Sequence, residues 1–339
     1  MIDRRQLLAG TAALAASSAL PVPARAVAQR KPPRLRLGDT VGLVAPASAL
    51  TLPEELDRAR YWIEGMGLVP KPGAHLREQH GYLAGTDAAR AADLNAMFTD
   101  PRVRAIFAVR GGWGGARLLD LLDWDAIRAH PRLLIGYSDT TALHLAIAAH
   151  GGFATIHGPN GASRWEKASW ESLWRLAFTG EMPVLGGEAM EREVGRPGRT
   201  ITGGRASGRL LGGNLTILST LMGTRWLPDF TGAVLFLEDV DEAEYRVDRM
   251  LQQLKLAGVL NGLAGVVFGQ CTRCHEDAEA VVGFTLDQVI DHHLAPLGIP
   301  AFTGANIGHV GNQLCLPSGV RVELDATART LRVLEPVVG

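Results

Sequence analysis

Leu133-Leu134-Ile135-Gly136-Tyr137-Ser138-Asp139-Thr140-Thr141 passes from a short apolar run through Gly-x-Ser into Ala142-Leu143-His144-Leu145-Ala146. The pattern predicts a buried strand, a sharp turn and a helix. At such a junction a serine hydroxyl is pushed out of the fold beside the free amides of a helix N-terminus. Ser138 is therefore a candidate nucleophile, and the backbone amide of Asp139 is placed to hold an oxyanion. Two features pull the other way. The usual elbow has a second small residue two places beyond the serine, where Thr140 stands here, and a helix N-cap would suit Ser138 equally well.

The same alternation extends outward in both directions. Residues 40–45, 68–71, 103–109, 133–135 and 153–156 read as strands. Residues 53–65, 87–98, the stretch after the glycine-rich loop through 122, and the stretch from the Ser138 turn to 150 read as helices, with Thr86 as a cap. Strands alternating with helices predict a parallel sheet with crossover helices. A second set follows: strands at 206–211, 233–237, 265–269 and near 300–302, helices at 215–221, 245–256 and 285–297, and a closing hairpin, 320–324 with 330–334. Between the two sets, residues 163–205 carry Trp165, Trp170 and Trp174 and several glycine pairs with little periodicity, which reads as an inter-domain connection. The expected plan is two α/β domains, 36–162 with the nucleophile and a smaller one over 206–339.

A length of 339 residues suits about two domains of ordinary size. With 34 basic against 35 acidic residues and a net charge of −1, the chain lacks the electrostatic footprint of a nucleic-acid binder. Arg4-Arg5 precede a small-residue apolar run ending near Leu20, and Ala24-Arg25-Ala26 is a small-x-small cleavage site. The run falls short of the ~20 residues of a membrane span, so residues 1–26 are expected to be a removed twin-arginine leader and not a stable membrane anchor. The expected location is the bacterial periplasm. Only three cysteines are present, so the fold is not built on disulfides.

A serine hydroxyl needs a general base, and the base needs a third group to hold its tautomer. Among the histidines, His309 lies in Gly304-Ala305-Asn306-Ile307-Gly308-His309-Val310-Gly311-Asn312, a loop that can present a side chain to a cleft. His157, in Ile156-His157-Gly158-Pro159, is an equal rival on spacing alone, whereas His144 suits a packed or surface role. His292 and His293 are adjacent on a helix and so face different ways, which disfavours joint metal ligation. For the orienting carboxylate, Leu235-Phe236-Leu237-Glu238-Asp239 ends an apolar strand in two acids, and Glu238 is nearer the buried part. The loop Arg110-Gly111-Gly112-Trp113-Gly114-Gly115 lacks the ending of a P-loop and the spacing of a dinucleotide fingerprint, so its Gly112 amide is assigned to the oxyanion. Arg110 could bind a substrate carboxylate or tie the loop in place. Cys271-Thr272-Arg273-Cys274-His275 has no second paired motif, so an oxidised pair or two free thiols is expected, with no metal and no cofactor.

Taken together, several motifs in one order resemble the LD-carboxypeptidases. They are Gly81-Tyr82-Leu83-Ala84-Gly85-Thr86, the Arg110 loop, Asp123-Trp124, Ile135 to Leu143, His157-Gly158-Pro159, Leu211-Gly212-Gly213-Asn214-Leu215, Phe236-Leu237-Glu238-Asp239, Tyr245-Arg246-Val247-Asp248-Arg249-Met250 and Gly308-His309. The resemblance runs from about Arg36 to the C-terminus. It implies a Rossmann-like N-terminal domain and an active site between two domains, with Ser138 as nucleophile, His309 as base and Glu238 as its orienter. It also implies cleavage of the bond between an L-centre and a terminal D-amino acid in murein tetrapeptides. Relatives in this family confer immunity to a peptide-nucleotide antibiotic, and family members often form homodimers. Trp113 replaces a more usual tyrosine, Ser318 stands where leucine is common, and the leader sets this chain apart from members that act in the cytoplasm. A periplasmic solute-binding protein is the competing class, since two α/β domains with a cleft describe it too; it would have no need of Ser138, Glu238 and His309 together.

Overall fold

The computed structural model describes residues 30–194, 197–275 and 283–339, so the leader read at 1–26 lies outside the described residues. The apolar runs of the N-terminal half form parallel strands β1 (Thr40–Val44), β2 (Val69–Pro72), β3 (Val103–Ala108), β4 (Leu133–Gly136) and β5 (Thr155–His157). Every residue of β4 and β5 is buried, as a sheet covered on both faces requires. Helix α1 (Pro53–Gly65) starts with proline in its first turn, and the Glu55 carboxylate accepts from the Thr51 and Leu52 amides at 2.6 and 3.1 Å. Helix α2 (Asp87–Thr99) is capped by Thr86, whose hydroxyl accepts from the Ala89 amide at 3.2 Å.

Two helices differ from expectation. The helix read through residue 122 is a single 3-10 turn, Gly115–Leu118, and the regular helix comes later as α3 (Trp124–Ala129), capped by the Asp123 carboxylate. The helix after Ser138 is α4 (Thr141–Ala146), which widens into a π turn over Ile147–Gly151 before Gly152 ends it at φ +73°.

The larger correction concerns residues 163–205. Far from being a plain connection, they contain α5 (Lys167–Trp174), β6 (Val184–Gly186), α6 (Glu188–Val194) and β7 (Arg199–Thr202). The rest of the chain supplies β8 (Arg205–Asn214), α7 (Leu215–Thr220), β9 (Val234–Val240), α8 (Glu244–Leu256), β10 (Gly265–Thr272), α9 (Leu286–Leu294), β11 (Ala301–Thr303), β12 (Leu316–Ser318), β13 (Arg321–Asp325) and β14 (Thr330–Val333). Strands β6 and β7 are the two edges of an eight-stranded sheet, ordered β6-β14-β13-β8-β9-β10-β11-β7. Strands this short, paired on one side only, carry too few residues to show a period of two.

Strand β12 leaves that sheet and pairs antiparallel with β5, completing a six-stranded sheet ordered β12-β5-β4-β3-β1-β2. The C-terminal segment is thus woven into both sheets. Buried apolar residues are shared the same way: Phe107, Ile135, Phe236 and Val267 belong to one core, and Leu134, Leu143, Leu211 and Leu235 to another. Burying each such side chain contributes about 1.5–3 kcal/mol. The relative placement of the two sheets is therefore set by packing on both sides.

Candidate active site

Ser138 opens the 3-10 turn Ser138–Thr140, separated from the end of β4 by Tyr137, with φ +63°. A serine in the left-handed region costs roughly 1–3 kcal/mol and persists only where its surroundings hold it. Here the preceding Tyr137 amide donates to Asn160 Oδ1 at 3.2 Å. Gly111 leaves the space in front: a Cβ there would stand 2.9 Å from Ser138 Cβ. The alternative N-cap role is not the one adopted, because the N-cap positions of the 3-10 turn and of α4 are taken by Tyr137 and Thr140, neither with a side-chain cap. Ser138 Oγ instead lies 3.1 Å from His309 Nε2.

His309 comes from the loop between β11 and β12. Its Nδ1 is 2.7 Å from Glu238 Oε2. A carboxylate can only accept, so Nδ1–H donates and Nε2 is left to accept the Ser138 proton. The ring also packs against Tyr137, centroids 4.8 Å apart. Glu238 is fully buried and lies within β9, which runs on to Val240 instead of ending before it. Gly308 permits the contact, since a Cβ on it would stand 2.6 Å from Glu238 Cβ. Residues 138, 238 and 309, from two sheets and a connecting loop, thus form one hydrogen-bonded chain.

The rival histidines have other partners. His157 is buried with neither ring nitrogen hydrogen-bonded among the described residues, and burial holds it well below the ordinary histidine range. It packs on Phe236 and Tyr137, at 5.2 and 6.1 Å. His144 is bonded to Thr155 Oγ1 and to the Gly136 carbonyl, at 2.8 and 2.9 Å, and burial pushes it down to about 4. His293 meets Asp248 at 2.6 Å.

The glycine-rich loop is held over Ser138 by a group that sequence reading passed over, the carboxylate of Asp139. It accepts from the Gly114 and Gly115 amides at 3.3 and 2.6 Å, and burial pushes it up to about 6. Ser48 helps, its hydroxyl accepting from the Trp113 amide at 3.2 Å. Gly112 stands between these anchors at φ +105°. No local pattern links Asp139 to glycines 24 or 25 residues away. Arg110 leaves the end of β3 and bonds Thr51 Oγ1 and Glu55 Oε1 at 2.8 and 3.0 Å, tying the loop to the start of α1.

Asp239, the neighbour of Glu238, faces elsewhere. It accepts from Asn214 Nδ2 and from the amide and hydroxyl of Thr216, each at 2.9 Å, while burial, with Glu238 beside it, pushes it up to about 6. The His309 loop is anchored from the segment once read as a connection: Asn312 Oδ1 accepts from the Ala168 amide at 2.5 Å, and Ser169 Oγ donates to the Gln313 carbonyl at 2.7 Å. Cys271 and Cys274 form a disulfide. Among the described residues there is no cluster of three or more potential metal ligands, and no helix is long and apolar enough to cross a membrane.

Chemically, a serine hydroxyl against a histidine that is itself held by a buried carboxylate is an arrangement able to support nucleophilic attack. Comparison with known proteins identifies the family. Residues 41–158 match the model of the LD-carboxypeptidase N-terminal domain, and residues 207–324 that of the LD-carboxypeptidase C-terminal domain. The chain is 37% identical over 311 residues to a probable murein peptide carboxypeptidase of Bacillus subtilis, covering 88% of this chain and 93% of that one. It is 33% identical over 303 residues to the murein tetrapeptide carboxypeptidase of Pseudomonas aeruginosa, covering 84% and 92%. Its fold superposes with a TM-score of 0.81, at 25% identity and covering 91% and 99%, on the structure of MccF in complex with glutamyl sulfamoyl guanosine.

Proposed function

The chain belongs to the LD-carboxypeptidase family, and on that premise we propose that it is a serine carboxypeptidase releasing the terminal D-alanine of murein tetrapeptides. The observation that carries this is the chain Ser138 Oγ, His309, Glu238, with links of 3.1 and 2.7 Å. His309 Nε2 takes the Ser138 proton as Oγ attacks the carbonyl of the L–D bond. The carbonyl oxygen becomes an oxyanion facing the amides of Gly112 and Asp139. Glu238, buried against Nδ1–H, stabilises the imidazolium. His309 then protonates the leaving amine of D-alanine, and a water molecule, deprotonated by the same nitrogen, frees the acyl group from Ser138.

A solute-binding protein would gain nothing from a serine held at φ +63° against a histidine. The likeness to MccF supports a second reading, a peptidase acting on a peptide-nucleotide antibiotic. The higher identity to the murein enzymes favours the first. We also place the mature enzyme in the periplasm, which Arg4-Arg5 and Ala24-Arg25-Ala26 support, and treat its pairing into a homodimer as part of the same proposal, to be read by sedimentation velocity. The deciding experiment is mass spectrometry of products from purified tetrapeptide and from a peptidyl nucleotide. Tripeptide plus D-alanine is expected from wild type and intact tetrapeptide from Ser138→Ala; cleavage of the nucleotide alone would install the second reading.

A further inference from the structure

One motif singled out in the sequence, Cys271-Thr272-Arg273-Cys274, takes no part in the chemistry above. Its disulfide closes a turn at the end of β10, with the two Cα atoms 5.3 Å apart. The turn is stitched to the end of β9. Thr272 pairs with Val240 in parallel register, the Asp241 amide donates to the Thr272 carbonyl at 2.9 Å, and the Arg273 guanidinium meets the Asp241 carboxylate at 2.6 and 2.7 Å. Both Arg273 and Asp241 stand at φ +56°, a backbone that non-glycine residues keep only where the surroundings impose it. From this braced turn one hydroxyl reaches the active site: Thr272 Oγ1 donates to the backbone carbonyl of His309 at 2.8 Å.

His309 is thereby held at two points by neighbouring strands. Glu238 of β9 fixes its ring, and Thr272 of β10 fixes its backbone. Orientation of a base to within a few tenths of an ångström decides how well it removes a proton, and a loop residue depends on such supports. We propose that Thr272 is a positioning residue for His309 and that the Cys271–Cys274 disulfide keeps its hydroxyl in place, so that turnover depends on the redox state of the pair. The proposal rests on His309 acting as the base.

Cys271 is only partly buried and lines an open cavity of about 410 Å³ with Gln270 and Gly304, so a small dithiol can reach the bridge. Its thiolate attacks one sulfur to give a mixed disulfide. Its second thiol then closes a ring, and the two protons pass to Cys271 and Cys274, so the protein gains two electrons and the dithiol loses two.

The test is steady-state kinetics of D-alanine release by the full chain, oxidised and after dithiothreitol, in wild type, Thr272→Val and Thr272→Ser. Thr272→Val should lower kcat about tenfold at unchanged KM, and Thr272→Ser should restore most of it. Reduction should lower wild-type kcat similarly and leave Thr272→Val almost unchanged, because the link it loosens is already gone. A Cys271→Ser/Cys274→Ser variant should match the reduced enzyme and ignore dithiol. The proposal is overturned if reduced wild type keeps its kcat, if the two effects multiply independently, or if KM moves instead. Fluorophosphonate labelling of the same samples separates the two levels: slower labelling of Ser138 on reduction supports the positioning role, whereas labelling away from Ser138 in oxidised wild type removes the triad itself.

Discussion

The two halves of the hydrogen-bonded chain Ser138–His309–Glu238 are held by different means. On the first sheet, Ser138 is fixed by its own backbone, a left-handed serine clamped between the end of β4 and a glycine-rich loop that Asp139 pins from one residue away. On the other side, His309 lies in a loop without regular structure, positioned by side chains from β9 and β10 and by the Ala168 amide at the start of α5. Strain is stored at Ser138, and hydrogen bonds are gathered at His309. A strained turn keeps its shape without distant partners, while a loop histidine is only as well placed as the residues that hold it.

That contrast sets an order of expected effects. Glu238→Gln removes the carboxylate that selects the His309 tautomer, and kcat should fall on the order of 10⁴-fold while KM stays near wild type. A loss below tenfold would mean that the ring is held by its other contacts. Next comes Asp139→Asn, which keeps the fold but loosens the loop carrying Gly112; kcat should fall roughly tenfold.

The same substitution has a signature in stability. Because the folded state holds the Asp139 carboxyl up at about 6 against an ordinary 3.8, it binds more protons than the unfolded chain between those values. Its contribution is therefore full below 3.8 and is lost as pH rises through about 6. The Tm of wild type should show this decline between those limits, superimposed on other titrations, and Asp139→Asn should flatten it. An unchanged slope in the variant would show that the carboxyl titrates normally.

A smaller effect separates strain from chemistry. Ser138→Gly relieves the positive φ and should raise stability by about 1 kcal/mol in a denaturant melt while activity disappears. Destabilisation would show that the turn is relaxed with serine in it. Smallest of all is Cys315, buried where the base-carrying loop returns to the first sheet, its amide accepted by Ser172 Oγ at 3.0 Å. Burial pushes this thiol up to about 12, so iodoacetamide at pH 8 should leave it unmodified in the native protein and alkylate it only after unfolding.

The same division explains what the sequence revealed. The strand, turn and helix around Ser138 are written in consecutive residues, and so is the alternation from Thr40 to Ile156. Spacing alone left His157 and His309 level. They differ in what surrounds them: His157 is enclosed by Phe236 and Tyr137, while His309 has Glu238 on one nitrogen and Ser138 on the other. The resemblance to a family supplied that choice before any geometry did. Residues 163–205 misled because edge strands of three or four residues have no readable period, yet α5 within them anchors the base. The Asp139 carboxylate and Thr272 went unread because their partners lie 24 and 37 residues away.

The central claim is that a strained serine on one sheet is activated by a histidine and a glutamate supplied from the other side. Intact-protein and peptide mass spectrometry after exposure to a fluorophosphonate tests it most directly. A single adduct on the peptide containing Ser138, nearly absent in His309→Ala, is the predicted result; an adduct elsewhere, or labelling of Ser138 undiminished without His309, would contradict it.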